Sequence, residues 1–169
     1  IKPDSIKPDI RNTLNSIFLG ILSSTWQNKI VTHAFKVGGG SKTFLQNTPR
    51  TAYNYEVGAN SSSTTDSMKI GLIYVSDYGF AANPSYWATN LGSYSSAASS
   101  NWMYIRDHEW TISRRSDDSK TAFAVSYLGN VGVPGNAGST FEVRPVFYLT
   151  SATTYVSGSG TSSDPIRLS

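Results

Sequence analysis

Cysteine is absent from this sequence, so neither a disulfide nor a thiolate metal site can contribute, and the fold must rest on packing and hydrogen bonds. Charge is scarce: 15% of the residues are Asp, Glu, Lys or Arg, against about 25% in an average domain. Ser, Thr, Asn and Gly take their place, which gives the polar, weakly charged surface common on extracellular bacterial modules. The net charge of +3 and pI near 9.1 come with no basic run longer than Arg114-Arg115. Without a basic stripe, nucleic acid is a poor partner. No apolar run approaches the roughly 18 residues needed to span a bilayer, and no signal peptide is recognisable. The chain as given therefore reads as soluble, without membrane contact, and its start at Ile1 reads as that of an excised ectodomain or mature fragment. Calcium loops of the D-x-D-x-D-G type are missing, and the triplet Gly38, Gly39 and Gly40 lacks the lysine and helix of a phosphate loop, marking a flexible connection instead. No metal and no cofactor is expected.

What is present suits one domain of 169 residues. Residues 1–9 repeat Ile-Lys-Pro-Asp twice, a tether or lead-in strand ahead of a single domain over residues 10–169. Asp9 is placed to cap a helix whose apolar face is Ile10, Leu14, Ile17, Phe18, Ile21 and Leu22, with Asn12, Asn15 and Ser16 on the polar side. Ser24 and Gln27 are spaced as a capping box opening a second helix that turns Trp26 and Ile30 inward. A strand is expected over residues 31–37, and a central strand over KIGLIYVSDYGF, residues 69–80, which is apolar on both faces. Asn83 and Pro84 open a helical turn carrying Tyr86, Trp87 and Leu91.

Residues 101–149 organise the rest. NWMYIRDHEWTISRR, TAFAVSYLG and FEVRPVFYL read as strands of a sheet with one face in the core: Trp110 and Ile112 point in, with Glu109, Thr111 and Ser113 on the opposite face, and Phe123, Val125 and Tyr127 repeat the alternation. Pro145 cannot donate to a ladder, so its strand is expected at an edge or bulged there, with Glu142 and Arg144 as a surface pair. Residues 164–168 could add a last short strand. Helices first and strands after give an α+β class.

Chemistry is weakly signalled. His33 and His108 have many serines but no selected triad. The carboxylates Asp77, Asp107, Glu109, Asp117 and Asp118 could supply a glycosidase pair only by converging across a cleft, and Asp117-Asp118 sits in a solvated turn. No catalytic residue is assigned. Among the aromatics, Trp26 and Trp110 are expected in the core, while Tyr104, Tyr127 and Tyr155 suit recognition beside Ser, Gly and Asn.

The order KIGLIYVSDYGFAA, NWMY, EWTISR, VRPVFYL and YVSGSGTSSDPIRL resembles the ectodomain of pilin-like surface proteins of Gram-positive gut bacteria, in which a prepilin helix anchors the protein. The arrangement of helices, a Trp-containing strand and a closing strand opened by Arg-Pro is also similar to the C-type-lectin-like fold of diversity-generating retroelement variable proteins. That resemblance implies N-terminal helices on a mostly antiparallel, twisted sheet with long polar loops, and a ligand-contacting region at residues 106–108, 115–121, 126–128, Asn130 and 133–141. The implied ligand-binding residues are Tyr104, Arg106, Asp107, His108, Arg115, Asp117, Asp118, Lys120, Ser126, Tyr127, Leu128, Asn130, Pro134, Asn136, Ser139 and Phe141. No Glu-Pro-Asn or Trp-Asn-Asp sugar motif is present, which shifts the expected ligand from a calcium-bound sugar toward protein. The function implied is an adhesin-like domain on a cell surface or pilus, its partner an unidentified protein or glycan on another surface, with pilin subunits as possible neighbours. A structural pilin and a wall hydrolase using Asp77 or Glu109 are the alternatives.

Overall fold

The computed structural model describes residues 8–58, 64–132 and 138–169; of the lead-in expected over residues 1–9, residues 1–7 lie outside the described residues and Pro8 and Asp9 belong to the first helix instead. Helix α1 (residues 8–21) is α-helical at Pro8–Asn12, π-helical at Thr13–Phe18 and α-helical again at Leu19–Ile21. It already includes Asp9, so Asp9 is not its cap. The wide π-turn also re-aims the expected apolar face, because each extra residue per turn rotates the side chains beyond it. Leu14 is buried and Ile10, Phe18, Leu19 and Leu22 pack on the core, whereas Ile17 and Ile21 stand 64% and 76% exposed. Asn15, expected toward solvent, is instead a clamp: its Oδ1 accepts the N–H groups of Lys69 and Ile70, both at 2.9 Å, and its Nδ2 donates to Ile70 O at 2.8 Å. Helix α2 (Ser24–Lys29) is capped by Ser23, one residue before the expected position, and Gln27 reaches back to Leu22 O. Trp26 faces outward and only Ile30 is buried.

The chain continues through β1 (Ile30–Val31), β2 (His33–Lys36), α3 (Pro49–Glu56), β3 (Thr65–Met68), β4 (Ile70–Leu72) and α4 (Val75–Phe80). Then come β5 (Glu109–Arg114), β6 (Ala122–Val125), β7 (Val131–Gly132), β8 (Glu142–Val143), β9 (Pro145–Leu149), β10 (Tyr155–Ser157) and β11 (Arg167–Leu168). The class is α+β, with largely antiparallel sheets and few helices. One sheet has the order β1-β9-β4, another β7-β6-β5-β8, with β2-β3 and β10-β11 as separate pairs. Among the described strands, only β5 and β8 run parallel. Residues 164–168 thus do end in the short strand expected of them.

Three expectations are corrected here. The central strand foreseen over residues 69–80 stops at Leu72, and α4 replaces its second half. Helix start chemistry explains this: Asp77 Oδ2 accepts Tyr74 N–H at 2.9 Å, and Glu56 accepts from Val75 N at 3.0 Å and Ser76 N at 3.1 Å. Second, NWMYIRDHEWTISRR is strand only from Glu109, and β5 is buried on both faces. Trp110 and Ile112 join a cluster with Leu14, Phe35, Ile70 and Leu72, while Phe123 and Val125 of β6 face a second cluster around Phe44, Tyr78, Leu91 and Tyr94. The polar face of β5 is accommodated by dedicated partners: Thr111 donates to Phe123 O at 2.8 Å, Ser113 to Glu56, and Glu109 pairs with Arg144 at 2.9 Å. Third, Arg144 does not pair with Glu142 at the surface, and β9 is not an edge. It lies between β1 and β4, with Pro145 as its first residue opposite Leu72, where the missing N–H costs least. The glycines at 38–40 are docked on β5, since Arg114 N donates to Gly38 O and a side chain at Gly39 would strike Arg114 O.

Burial pushes the Glu56 carboxyl from its ordinary 4.5 up to about 7, against the opposing pull of the hydrogen bonds it accepts from Ser113 and Ser76. The folded protein therefore holds a proton that the unfolded chain releases, and stability should fall as pH rises from about 4.5 to 7, by about 3 kcal/mol over the window. Urea midpoints measured across that range check the slope, and Glu56→Gln should flatten it. Arg144→Ala leaves a buried carboxylate at Glu109 without its partner and should cost about 3–5 kcal/mol, read as an equilibrium unfolding free energy.

Candidate functional site

At the start of β5 three chain segments meet. Asn101 fixes the first: its buried side chain donates to Tyr78 O at 2.8 Å and accepts Met103 N–H at 3.0 Å. The chain then turns sharply, with Arg106 in the left-handed region at φ 63° and Asp107 Oδ1 accepting His108 N–H at 2.6 Å. A non-glycine residue in that region costs backbone energy, and such outliers gather at functional sites. The second segment is the turn between β6 and β7. Ser126 N donates to Asn130 O at 2.8 Å, Ser126 Oγ to Asn130 Oδ1 at 2.6 Å, and Leu128 N to Ser126 Oγ at 3.1 Å. Gly129 holds φ 87° at its tip, where a side chain would strike Ala98. The third segment runs from Gly138 into β8, with Ser139 O accepting Trp110 Nε1–H at 3.3 Å.

Aromatic rings join the three. His108 stacks on Phe141 with centroids 4.7 Å apart and meets Tyr127 edge-on at 5.4 Å, while Phe141 leans on Trp110 at 4.7 Å. Tyr104 OH donates to Tyr127 O at 2.6 Å, bracing the turn beneath the Tyr127 ring. Tyr127 and Leu128 are 55% and 53% exposed, and Ile105 is exposed beside them. Among the described residues, His108 Nδ1 is buried without a hydrogen-bond partner. The result is an exposed aromatic patch with a polar surround, its backbone tied down by hydrogen bonds.

Ten of the sixteen residues named from sequence collect here: Tyr104, Arg106, Asp107, His108, Ser126, Tyr127, Leu128, Asn130, Ser139 and Phe141. Four do not. Arg115, Asp117, Asp118 and Lys120 occupy the turn at the far end of β5, about 20 Å away along a six-residue strand. There Arg115 forks onto Asp117 at 2.9 Å and reaches Asp118 at 3.7 Å, and Asp117 and Asp118 also accept backbone N–H groups of Lys42 and Lys120. The Arg115 hydrogen bond holds the Asp117 carboxyl down to about 2. Pro134 and Asn136 lie outside the described residues. Alternation alone would turn Tyr127 inward with Phe123 and Val125; the strand ends at Val125, so the Tyr127 ring is released outward.

Sequence reasoning misses a hollow on another side. Its walls are His33 and Lys36 of β2, Tyr53 of α3, Tyr74, Asp77 of α4 and Tyr148 of β9, around ≈ 320 Å³. His33 stacks on Tyr148 with centroids 3.9 Å apart, because Val31 lies opposite Tyr148 in the sheet and β2 follows at once. Burial raises the Asp77 carboxyl above its ordinary range. No sequence period brings these residues together; only the placement of β9 beside β1 does. Of the carboxylates considered for hydrolysis, Asp77 faces this hollow, whereas Glu109 is 1% exposed and held by Arg144. Among the described residues no group of three or more His, Asp or Glu is arranged to hold a metal, and no helix is long and apolar enough to cross a membrane.

Tyr104→Phe removes one hydrogen bond under the patch and should cost about 1 kcal/mol in urea unfolding while leaving the secondary structure unchanged by circular dichroism. No protein-family model, no curated protein and no solved structure matches this chain.

Proposed function

We propose that this chain is a ligand-binding, adhesin-like domain displayed on a cell surface or pilus, outside the cell, with a C-type-lectin-like architecture. Its contact face is the patch of Tyr127, Leu128, His108 and Phe141, and its partner is a protein. The observation that carries this reading is the exposure of Tyr127 and Leu128 on a turn braced by Tyr104 OH at 2.6 Å. Rigid aromatic anchors on a fixed backbone lose little entropy on binding, and Arg106, Asp107 and Asn130 around them supply directional contacts. Exposed aromatic and apolar side chains with polar neighbours suit a protein surface, whereas a small molecule needs a concave site. Support for the architecture comes from helices α1 and α2 leading the fold, a Trp-bearing β5, and a closing strand opened by Arg144 and Pro145 that returns to β1.

One observation favours a second reading, the structural pilin. Ile17 and Ile21 lie outward on α1, where a neighbouring subunit would cover them. That reading predicts concentration-dependent self-association in sedimentation velocity, lost in the Ile17→Glu/Ile21→Glu double variant.

For the binding reading, Tyr127→Ala/Leu128→Ala should lose capture on arrays of purified surface proteins at least 10-fold while its melting temperature stays within a few degrees. Retained capture would remove the patch from consideration. Arg106→Gly relieves the left-handed backbone and should stabilise by about 0.5–1 kcal/mol; weakened capture in that variant marks Arg106 as a contact residue.

A further inference from the structure

The hollow between β2, α3 and β9 does not end at Asp77. A second one, of ≈ 450 Å³, begins there and runs past Phe80 to Trp102 and Arg144, and both hollows are lined by Asp77 and Val146. The two hollows adjoin at these residues, and we treat them together as one groove. Aromatic rings stand toward both ends: Tyr53 and Tyr148, 43% and 44% exposed, on one side, and Trp102, 76% exposed, on the other.

The polar groups along it are unequal. Lys36 Nζ donates to Val57 O at 3.0 Å, and Arg144 is committed to Glu109 and to Met103 O. The two cations are thus largely satisfied by the protein. Asp77 Oδ2 accepts Tyr74 N–H, while Oδ1 receives no donor among the described residues. What the groove still asks for is hydroxyl or amide donors at its centre and flat apolar faces toward its ends. An extended peptide would normally exploit an unpaired strand edge. The strand beneath this groove, β9, is paired on both sides; β2, which lines the His33 end, is bonded to β3 alone, and its Lys36 O already accepts Tyr74 OH at 2.8 Å. A sugar ring presents C–H faces to aromatic side chains and hydroxyls to a carboxylate, which meets both demands without backbone pairing.

We infer that this groove is a binding site for a linear, uncharged oligosaccharide, separate from the protein-binding patch: sugar rings stack on Tyr53 or Tyr148 and on Trp102, and a central ring donates hydroxyls to Asp77. Tyr53 and Trp102 are exposed, so their removal leaves the core intact.

The test is titration of the full chain with cellohexaose, chitohexaose, xylohexaose and mannohexaose, followed by tryptophan fluorescence and isothermal calorimetry, with a decapeptide mixture in parallel. At least one hexaose should bind and quench Trp102. Trp102→Ala and Tyr53→Ala should each weaken it about 10-fold, and Tyr127→Ala/Leu128→Ala should change it less than twofold. Binding of no hexaose, binding indifferent to Trp102 and Tyr53, or binding of the peptides alone would overturn the inference. Loss of hexaose binding in the Tyr127/Leu128 variant would overturn the separation of the two sites, whereas failure of the patch to capture proteins leaves these outcomes unaffected.

Discussion

Much of this fold hangs on one buried carboxyl group. Glu56, at the end of α3, accepts the first N–H groups of α4 and the hydroxyl of Ser113 in β5, so a single side chain sets the relation of two helices and the central strand. Buried helix termini without partners are expensive, and a buried acid without donors is more so. Each deficit satisfies the other. The position of Asp77, next to Ser76 in the same first turn, is set by the same contact, and with it the centre of the groove.

The same economy appears in β5. A strand with Glu, Thr and Ser on one face would ordinarily turn that face to water. Here each polar side chain meets dedicated partners, Ser113 both donating to Glu56 and accepting Val75 N–H, so two apolar clusters can flank the sheet rather than one. Arg144 is the clearest instance: its guanidinium reaches across from the junction of β8 and β9 to Glu109 and Met103 O, binding the two main sheets to each other.

These couplings set the limit of what the sequence discloses. Local signals are legible: the α+β class, Asn83 as a cap, the strand at residues 122–125, the closing strand with its proline, and the burial of Trp110. Sequence reasoning fails where a distant partner overrides a local pattern. The period in residues 69–80 looks like strand because nothing nearby announces Glu56. Alternation assigns Glu109 to solvent because Arg144 is 35 residues away. The π-turn in α1 and the clamp by Asn15 are hidden for the same reason. Of the site, most members of the patch are legible, yet Arg115, Asp117, Asp118 and Lys120 group with it only because both ends of one strand are close in sequence. The groove is invisible, since its walls come from residues 33 to 148 and share no period.

The location of β9 has a bearing on how the protein is made. The strand that fills the middle of the β1-β9-β4 sheet is the one translated last of the three, so β1 and β4 emerge before the strand that pairs with both. At synthesis rates of about 5–20 residues per second, the gap between them and their partner is several seconds long. Through that interval the N-terminal half presents unpaired strand edges to the cell, a period in which a holding chaperone or an export machine that accepts only unfolded chains would find it open.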